Sequence, residues 1–121
     1  MTRHEKRLID LLTIANDLSN FTKNRHAAAI YIGNKLVSIG VNQLKTHPLQ
    51  KKFGMNDDAI YLHAEVDAIR NALKRVRPLD LQRATLYVAR SKDGKQKMSK
   101  PCVGCQKAII HFGIPHVYWS E

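Results

Sequence analysis

Cysteine, acidic residues and long apolar runs are all scarce in this 121-residue sequence. The only two cysteines, Cys102 and Cys105, lie three positions apart, so a disulfide between them would not cross-link a fold of this size. No segment approaches the roughly 18 apolar residues that a membrane-spanning helix needs. The N-terminal segment has neither the apolar core nor the cleavage site of a secretory signal. We therefore expect a cytoplasmic protein with no membrane partner, in which the thiols are free or bound to a metal.

The scarcity of acidic residues leaves a strong positive charge. Twenty Lys and Arg residues stand against ten Asp and Glu residues, which gives a formal net charge of +10 at pH 7. Such an excess favours an anionic partner: a nucleic acid, a nucleotide phosphate or an acidic surface. The chain is long enough for one hydrophobic core and has no repeats or linkers, so we expect a single domain over residues 1–121.

The spacing of apolar residues predicts helices and strands that alternate along the chain. Helical spacing appears in three segments, at residues 4–18, 61–75 and 102–112. Strand patterns appear as a hairpin within 27–43 and as single strands at 84–90 and 116–120. Two polar segments are predicted as loops, at 43–58 and 91–100. The order α-ββ-α-β-α-β predicts an α/β fold with helices packed on a sheet.

The two cysteines stand at the start of the third predicted helix, behind Pro101, in the motif "PCVGC". Helical spacing places both sulfur atoms on one face, and a helix N-terminus favours the thiolate form. The spacing alone is compatible with a redox pair, half of a structural zinc knuckle or two ligands of a catalytic metal. With His63 as a third ligand, the set would leave one vertex of a tetrahedral zinc open for water.

His63 and Glu65 lie two positions apart in the motif "HAE". In the middle of a helix, this spacing would point the two side chains in roughly opposite directions. Both can approach one metal only if they occupy the opening turn of the second predicted helix. Two helix N-termini would then face the metal, and their partial positive charges would offset the charge of two thiolates.

These motifs resemble a known signature. "HAE" followed by "PCVGC" is similar to the H-x-E…P-C-x-x-C signature of the zinc-dependent cytidine and deoxycytidylate deaminase superfamily. The resemblance extends from "IGVNQ" through "ATLYV" to "GIPHVYWS". It implies a three-layer α/β/α fold, with a mixed sheet of four to five strands and helices on both faces. It also implies a homo-oligomer, because members of this superfamily often complete their pocket across a subunit interface.

The resemblance also implies roles for individual residues. A Zn²⁺ ion would be bound by His63, Cys102 and Cys105, and Glu65 would carry protons as the catalytic acid and base. Three further positions would contact the substrate, Asn42 at the sugar and the backbone of Ala64 and Pro101 at the base edge.

Basic residues near these motifs suggest where a phosphate would bind. Lys45 and His47 lie in the predicted loop before the second helix, where they would line the mouth of the pocket. The basic segment 92–100 contains four lysines and is either an arm that contacts phosphate or a flap.

Three functions agree with this pattern. The first is a zinc-dependent deaminase that converts a cytosine-bearing nucleotide of the dCMP kind to its uracil form. The second is a deaminase of a base in polynucleotide, either cytosine in single-stranded DNA or adenosine in tRNA. The third is an inactive nucleic-acid-binding zinc protein, against which the presence of Glu65 argues. A flat basic face with exposed aromatic residues would favour polynucleotide, and a closed pocket with one phosphate site would favour a mononucleotide.

Overall fold

The computed structural model describes residues 1–19, 24–53 and 61–121. Within these ranges the chain forms four α-helices, α1 Arg3–Leu18, α2 Pro48–Phe53, α3 Ala64–Ala72 and α4 Val103–His111. It also forms seven strands, β1 Asn24–Ile32, β2 Lys35–Val41, β3 Gln43–Thr46, β4 Tyr61–Leu62, β5 Ala84–Lys92, β6 Lys95–Lys97 and β7 His116–Trp119. A 3₁₀ helix, Pro78–Arg83, precedes β5.

Five of the strands form one mixed sheet. The order is β2-β1-β5-β6, with antiparallel pairing throughout, and β7 pairs in parallel with β5. The parallel pair is connected through α4, as expected for a strand–helix–strand crossover. The short strands β3 and β4 form a separate antiparallel pair. The mixed sheet of five strands agrees with the predicted fold class.

Helices cover both faces of the sheet because the side chains of the central strands alternate between two cores. On one face, α1 packs through Leu11 and Ala15 against Ala27, Ala29 and Tyr87. The other face carries the larger core, in which residues of α3 and α4 pack on the alternate positions of β1 and β5. The three layers that the family resemblance implies are therefore confirmed. Among the described residues, no helix is both long and apolar enough to cross a membrane.

Helix α3 lies unusually close to β2. An added Cβ atom at Gly40 would lie 2.2 Å from the backbone nitrogen of Ala68 and 2.5 Å from the carbonyl oxygen of Ala64. The Ser38 hydroxyl donates to the Ala68 carbonyl at 2.8 Å. The Oδ2 atom of Asp67 accepts a hydrogen bond from the Val41 N–H at 3.0 Å. These contacts position the N-terminal end of α3.

The structure corrects the two predicted loops. Part of segment 43–58 forms β3 and α2, because β3 pairs with β4 and His47 caps α2 by accepting the Leu49 N–H at 3.1 Å. The rest of that segment, from residue 54, lies outside the described residues. Segment 91–100 contains the β5–β6 hairpin, whose turn has positive φ angles of 54° at Asp93 and 78° at Gly94. Positive φ at both central residues is typical of a tight type I′ hairpin turn.

Candidate metal centre

His63 and Glu65 occupy the opening of α3. His63 is the N-cap residue and has an extended backbone, and Glu65 lies in the first helical turn. The predicted helix 61–75 is therefore shorter, and its first two residues, Tyr61 and Leu62, form β4 instead. The His63 N–H donates to Gln50 Oε1 at 3.0 Å, and the His63 carbonyl accepts the Asp67 N–H at 2.9 Å. The backbone of His63 is thus held from both α2 and α3.

Cys102 and Cys105 occupy the opening of α4 in the same way. Cys102 is the N-cap residue, and its carbonyl accepts the Gln106 N–H at 2.8 Å. The Gln106 side chain donates to the Pro101 carbonyl at 2.7 Å, which holds the turn before the helix. Cys105 is buried within the first turn, and Cys102 is exposed. Both sulfur atoms therefore lie at the N-terminal end of α4, as the motif predicts.

The two helix starts bring three metal-binding side chains together. His63 Nδ1 lies 3.3 Å from Cys105 Sγ and 3.6 Å from Cys102 Sγ, and all three donor atoms lie within 4.8 Å of one another. Zinc bonds of about 2.1 Å to nitrogen and 2.3 Å to sulfur, at a tetrahedral angle, place these atoms about 3.6 Å apart. One imidazole and two thiols at this separation fit a Zn²⁺ ion.

The pKa values of the three side chains are coupled through these contacts. Hydrogen bonds from Cys105 and then from His63 lower the pKa of the Cys102 thiol to about 3. The hydrogen bond to Cys102 raises the pKa of His63, and the contact with Cys102 together with burial raises the pKa of Cys105. A preformed thiolate at Cys102 is the form that binds a metal.

Glu65 lies beside the three donors, and only 5% of its surface is exposed. Burial is the main reason that the pKa of its carboxyl group is raised. A raised pKa makes the carboxylate a better proton acceptor than an ordinary glutamate, as an acid–base catalyst requires.

A cavity of about 340 Å³ opens in front of these residues. A volume of this order is typical of small-molecule sites. Its wall includes four of the residues singled out in the sequence, His63, Glu65, Ala64 and Cys102. It also includes six lining residues that were not assigned to the site, Asn24, His26, Tyr61, Leu62, Ser99 and Lys100.

Asn42 also lines the cavity, but its side chain is engaged by the protein. Its Oδ1 atom accepts hydrogen bonds from the His26 N–H at 2.9 Å and from the Ser19 hydroxyl. Its Nδ2 atom donates to the Asn24 carbonyl at 2.8 Å. Asn42 therefore fastens the beginning of β1 to the end of β2, and contact between this residue and a sugar stays a prediction.

The other three predicted substrate contacts, Pro101, Lys45 and His47, are not among the residues that line the cavity. Pro101 lines a neighbouring apolar groove between α4 and β7. Lys45 is exposed on β3, and the His47 ring caps α2. A role for these three residues in substrate binding stays a prediction.

His26 is the most informative of the unassigned cavity residues. Burial, followed by the positive charge of Arg90, lowers the pKa of its ring to about 4. A neutral imidazole in the wall donates a hydrogen bond from one nitrogen and accepts one at the other. The sequence contains no motif around His26, and only the register of β1 against β5 brings this residue to the site.

Comparisons with known proteins agree with this site. Residues 1–121 match the family model described as the cytidine and deoxycytidylate deaminase zinc-binding region. No curated protein matches the sequence. Three crystal structures share the fold, and their similarity at 19–23% identity establishes the fold alone.

The first of them is a dCMP deaminase from the cyanophage S-TIM5 in its apo form, with a TM-score of 0.59, 19% identity and coverage of 98% of this chain and 84% of that chain. A cytidine deaminase from Burkholderia pseudomallei has a TM-score of 0.63 at 20% identity, and the match covers 97% of this chain and 81% of that chain. A guanine deaminase from Bacillus subtilis has a TM-score of 0.59 at 23% identity, and the match covers 98% of this chain and 64% of that chain.

Proposed function

Because this chain belongs to the cytidine and deoxycytidylate deaminase family, we propose that it deaminates a cytosine-bearing nucleotide of the dCMP kind to the uracil form. The chain is a zinc-dependent deaminase, and the choice of base and sugar is the proposed part. The main observation in support of the proposal is that the buried carboxyl group of Glu65 lines the same cavity as His63 and Cys102, two of the three residues whose donor atoms lie close enough to bind one metal ion.

The cofactor is zinc, and His63, Cys102 and Cys105 are the proposed ligands. When bound, zinc supplies Lewis-acid activation of water at neutral pH. The protein contributes the geometry. Each of two helices presents its N-terminus to the site, and the unpaired N–H groups there offset negative charge from the thiolates. The Gln50 side chain and the Asp67 N–H hold the backbone of His63 in place.

Glu65 is the proposed proton carrier. In the hydrolysis, the oxygen of water bonds to the ring carbon that carries the amino group, and the carbon–nitrogen bond then breaks. Glu65 takes one proton from the water and delivers it to the ring nitrogen. It then takes the remaining proton from the hydroxyl group now on the ring carbon and gives it to the amino group, which leaves as ammonia while the carbonyl forms. Burial suits this role because it raises the pKa of the carboxyl group and so makes the carboxylate a stronger base.

The cavity wall supports a polar heterocyclic base as substrate. The neutral ring of His26 offers a hydrogen-bonding group, and the half-exposed ring of Tyr61 offers an apolar surface. Two of the similar structures are a dCMP deaminase and a cytidine deaminase, which supports cytosine, whereas the guanine deaminase shows that this fold also accommodates a purine.

The test is ammonia release from a panel of dCMP, dCTP, cytidine, deoxyadenosine monophosphate and guanine, with the zinc-loaded protein. We expect the highest kcat/KM with dCMP. If cytidine is turned over as well as dCMP, the enzyme does not require a phosphate on its substrate. Activity with the purine substrates alone would refute cytosine as the base.

A homo-oligomer is also proposed. The lining of the apolar groove between α4 and β7 includes Val117, Trp119 and Ile110, and Ile110 has 77% of its surface exposed. Light scattering on the purified protein at several concentrations tests this. A mass of 13.8 kDa at every concentration would exclude an oligomer.

A further inference from the structure

The β5–β6 hairpin carries four basic residues on one face. Directly opposite residues in an antiparallel pair project to the same side of the sheet. The register pairs Arg90 with Lys97 and Lys92 with Lys95, and residues two apart on one strand share a face. These four residues, Arg90, Lys92, Lys95 and Lys97, are here called the cationic strip.

The cationic strip is continuous with the wall of the cavity. The register of β1 against β5 places His26 opposite Arg90 and Asn24 opposite Lys92. Two rows therefore cross three strands, one of His26, Arg90 and Lys97, and one of Asn24, Lys92 and Lys95. Because His26 and Asn24 line the cavity, each row begins at the site and extends outwards over the hairpin.

Within the described part of the chain, no acidic side chain neutralises the strip. Among the residues that the structure describes, none of its four cations forms an ion pair with a carboxylate. Like charges directly opposite each other destabilise a strand pair, and this hairpin has two such pairs. An anion bound across the rows would relieve this repulsion.

Arg90 is held in place beside the cavity. Its Nη2 atom donates to Asn24 Oδ1 at 2.7 Å, and its Nη1 atom lies 3.4 Å from the Met98 carbonyl. Its Nε atom is buried and has no hydrogen-bond partner among the described residues. The guanidinium group is thus held at the junction between the cavity and the hairpin.

The dimensions of the strip exceed what one phosphate group can contact. The two rows lie about 7 Å apart along the strands, and each row extends about 10 Å from β1 to β6. A mononucleotide carries its phosphate at one point, whereas a single-stranded polynucleotide presents a phosphate at every nucleotide. Tyr61 lines the cavity with 46% of its surface exposed, and an exposed ring beside such a groove can stack on a neighbouring base.

We propose that the cationic strip binds the phosphates of a single-stranded polynucleotide whose target base enters the cavity. This inference rests on the proposed deaminase function and extends its substrate from the free nucleotide to the base within a strand. The hairpin supplies affinity without sequence specificity, because its contacts are to phosphates.

The experiment compares the zinc-loaded wild type with the triple variant Lys92→Gln, Lys95→Gln and Lys97→Gln. A control with the same change in net charge replaces three exposed lysines elsewhere, Lys6→Gln, Lys35→Gln and Lys74→Gln. Binding of fluorescent single-stranded DNA and RNA oligonucleotides with one cytosine is measured by anisotropy over a range of salt concentrations. Ammonia release is measured in parallel with the oligonucleotides and with dCMP.

For the wild type, we expect log K to fall with log salt with a slope of about −3, because each neutralised phosphate of a single strand contributes about −0.7. In the triple variant, the magnitude of this slope should decrease by about 2, because three phosphate contacts are lost. This decrease corresponds to about a hundredfold weaker binding at 0.1 M salt. Its turnover of dCMP should stay within about threefold of wild type. The control should retain the wild-type slope.

Three results would overturn the inference: a wild-type protein that does not bind the oligonucleotide, a control that loses as much affinity as the triple variant, or an equal loss of dCMP turnover. The binding measurement does not depend on turnover. Failure of the proposed function, seen as no ammonia from dCMP, is therefore distinguishable from failure of the strip to bind a strand.

Discussion

The side-chain oxygen of Gln50 accepts a hydrogen bond from the backbone N–H of His63 at 3.0 Å. Gln50 is fully buried in α2, thirteen positions before the residue that it holds. His63 precedes the first turn of α3, where intrahelical partners for N–H groups are lacking. Helix α2 therefore contributes to the metal centre without providing a ligand.

The substitution Gln50→Leu should weaken zinc binding about tenfold. It keeps the volume of the side chain but leaves the His63 N–H without its acceptor, a loss of about 1 to 1.5 kcal/mol. Zinc affinity is measured by competition with a chelator. The exposed Gln82→Leu is the matched control and should bind zinc as the wild type does. Equal affinity in both variants would show that Gln50 does not position His63.

Glu65→Gln should abolish most turnover while leaving the metal in place. The amide has the same shape as the carboxyl group but cannot carry protons, and acid–base catalysis contributes about a hundred- to ten-thousandfold to the rate. Zinc content is measured by atomic absorption, and kcat/KM by ammonia release. Cys102→Ala, by contrast, should lose zinc and turnover together. An active Glu65→Gln would assign the proton transfers to another group.

The sequence predicts most of the fold because the cores of the main elements are local patterns. The apolar stripe of α1 and the alternation of β5 appear within single segments, and both form as predicted. Strands β3 and β4 have only 4 and 2 residues and depend on pairing with each other. Strand β6 consists of Lys95, Gln96 and Lys97 and has no apolar pattern to detect. Elements of this kind are held by tertiary contacts, which local spacing does not reveal.

The site divides in the same way. The motifs around His63 and Cys102 are short, and their chemistry is visible in the residue types themselves. His26 and Asn24 reach the cavity only because β1 begins at Asn24 and pairs with β5 in one register. A shift of one residue would turn both side chains to the opposite face. The cavity wall is therefore a property of strand pairing, which no motif in the sequence records.

Stability should fall in acid partly because of His26. Burial lowers the pKa of its ring to about 4 in the folded protein, and the unfolded value is about 6.5. Between these two pKa values, the unfolded chain binds a proton at His26 and the folded chain does not. The free energy of unfolding is therefore unaffected by His26 above pH 6.5 and decreases as the pH falls from 6.5 towards 4. The loss between pH 6.5 and 5.5 is about 1 kcal/mol.

The measurement is the free energy of unfolding in urea at both pH values, for the wild type and for His26→Gln. Both proteins share the pH dependence of metal binding, so it cancels when the free energy of unfolding of the variant is subtracted from that of the wild type. The wild type should lose about 1 kcal/mol more than the variant. A parallel loss in both would place the pKa of His26 near its ordinary value.

The contact between β2 and α3 predicts that Gly40→Ala disables the enzyme. The new Cβ atom would lie 2.2 Å from the Ala68 nitrogen and 2.5 Å from the Ala64 oxygen. Both are backbone atoms of a helix, so relief requires α3 to move as a unit, at a cost of about 3 kcal/mol. Because α3 begins beside His63 and contains Glu65, its movement should also lower kcat/KM.

The control is Gly94→Asn, where nothing lies within 4 Å of the added atom and asparagine tolerates the positive φ. Urea denaturation should show a loss for Gly40→Ala and little change for Gly94→Asn, and similar stability in both would mean that the sheet can yield at Gly40.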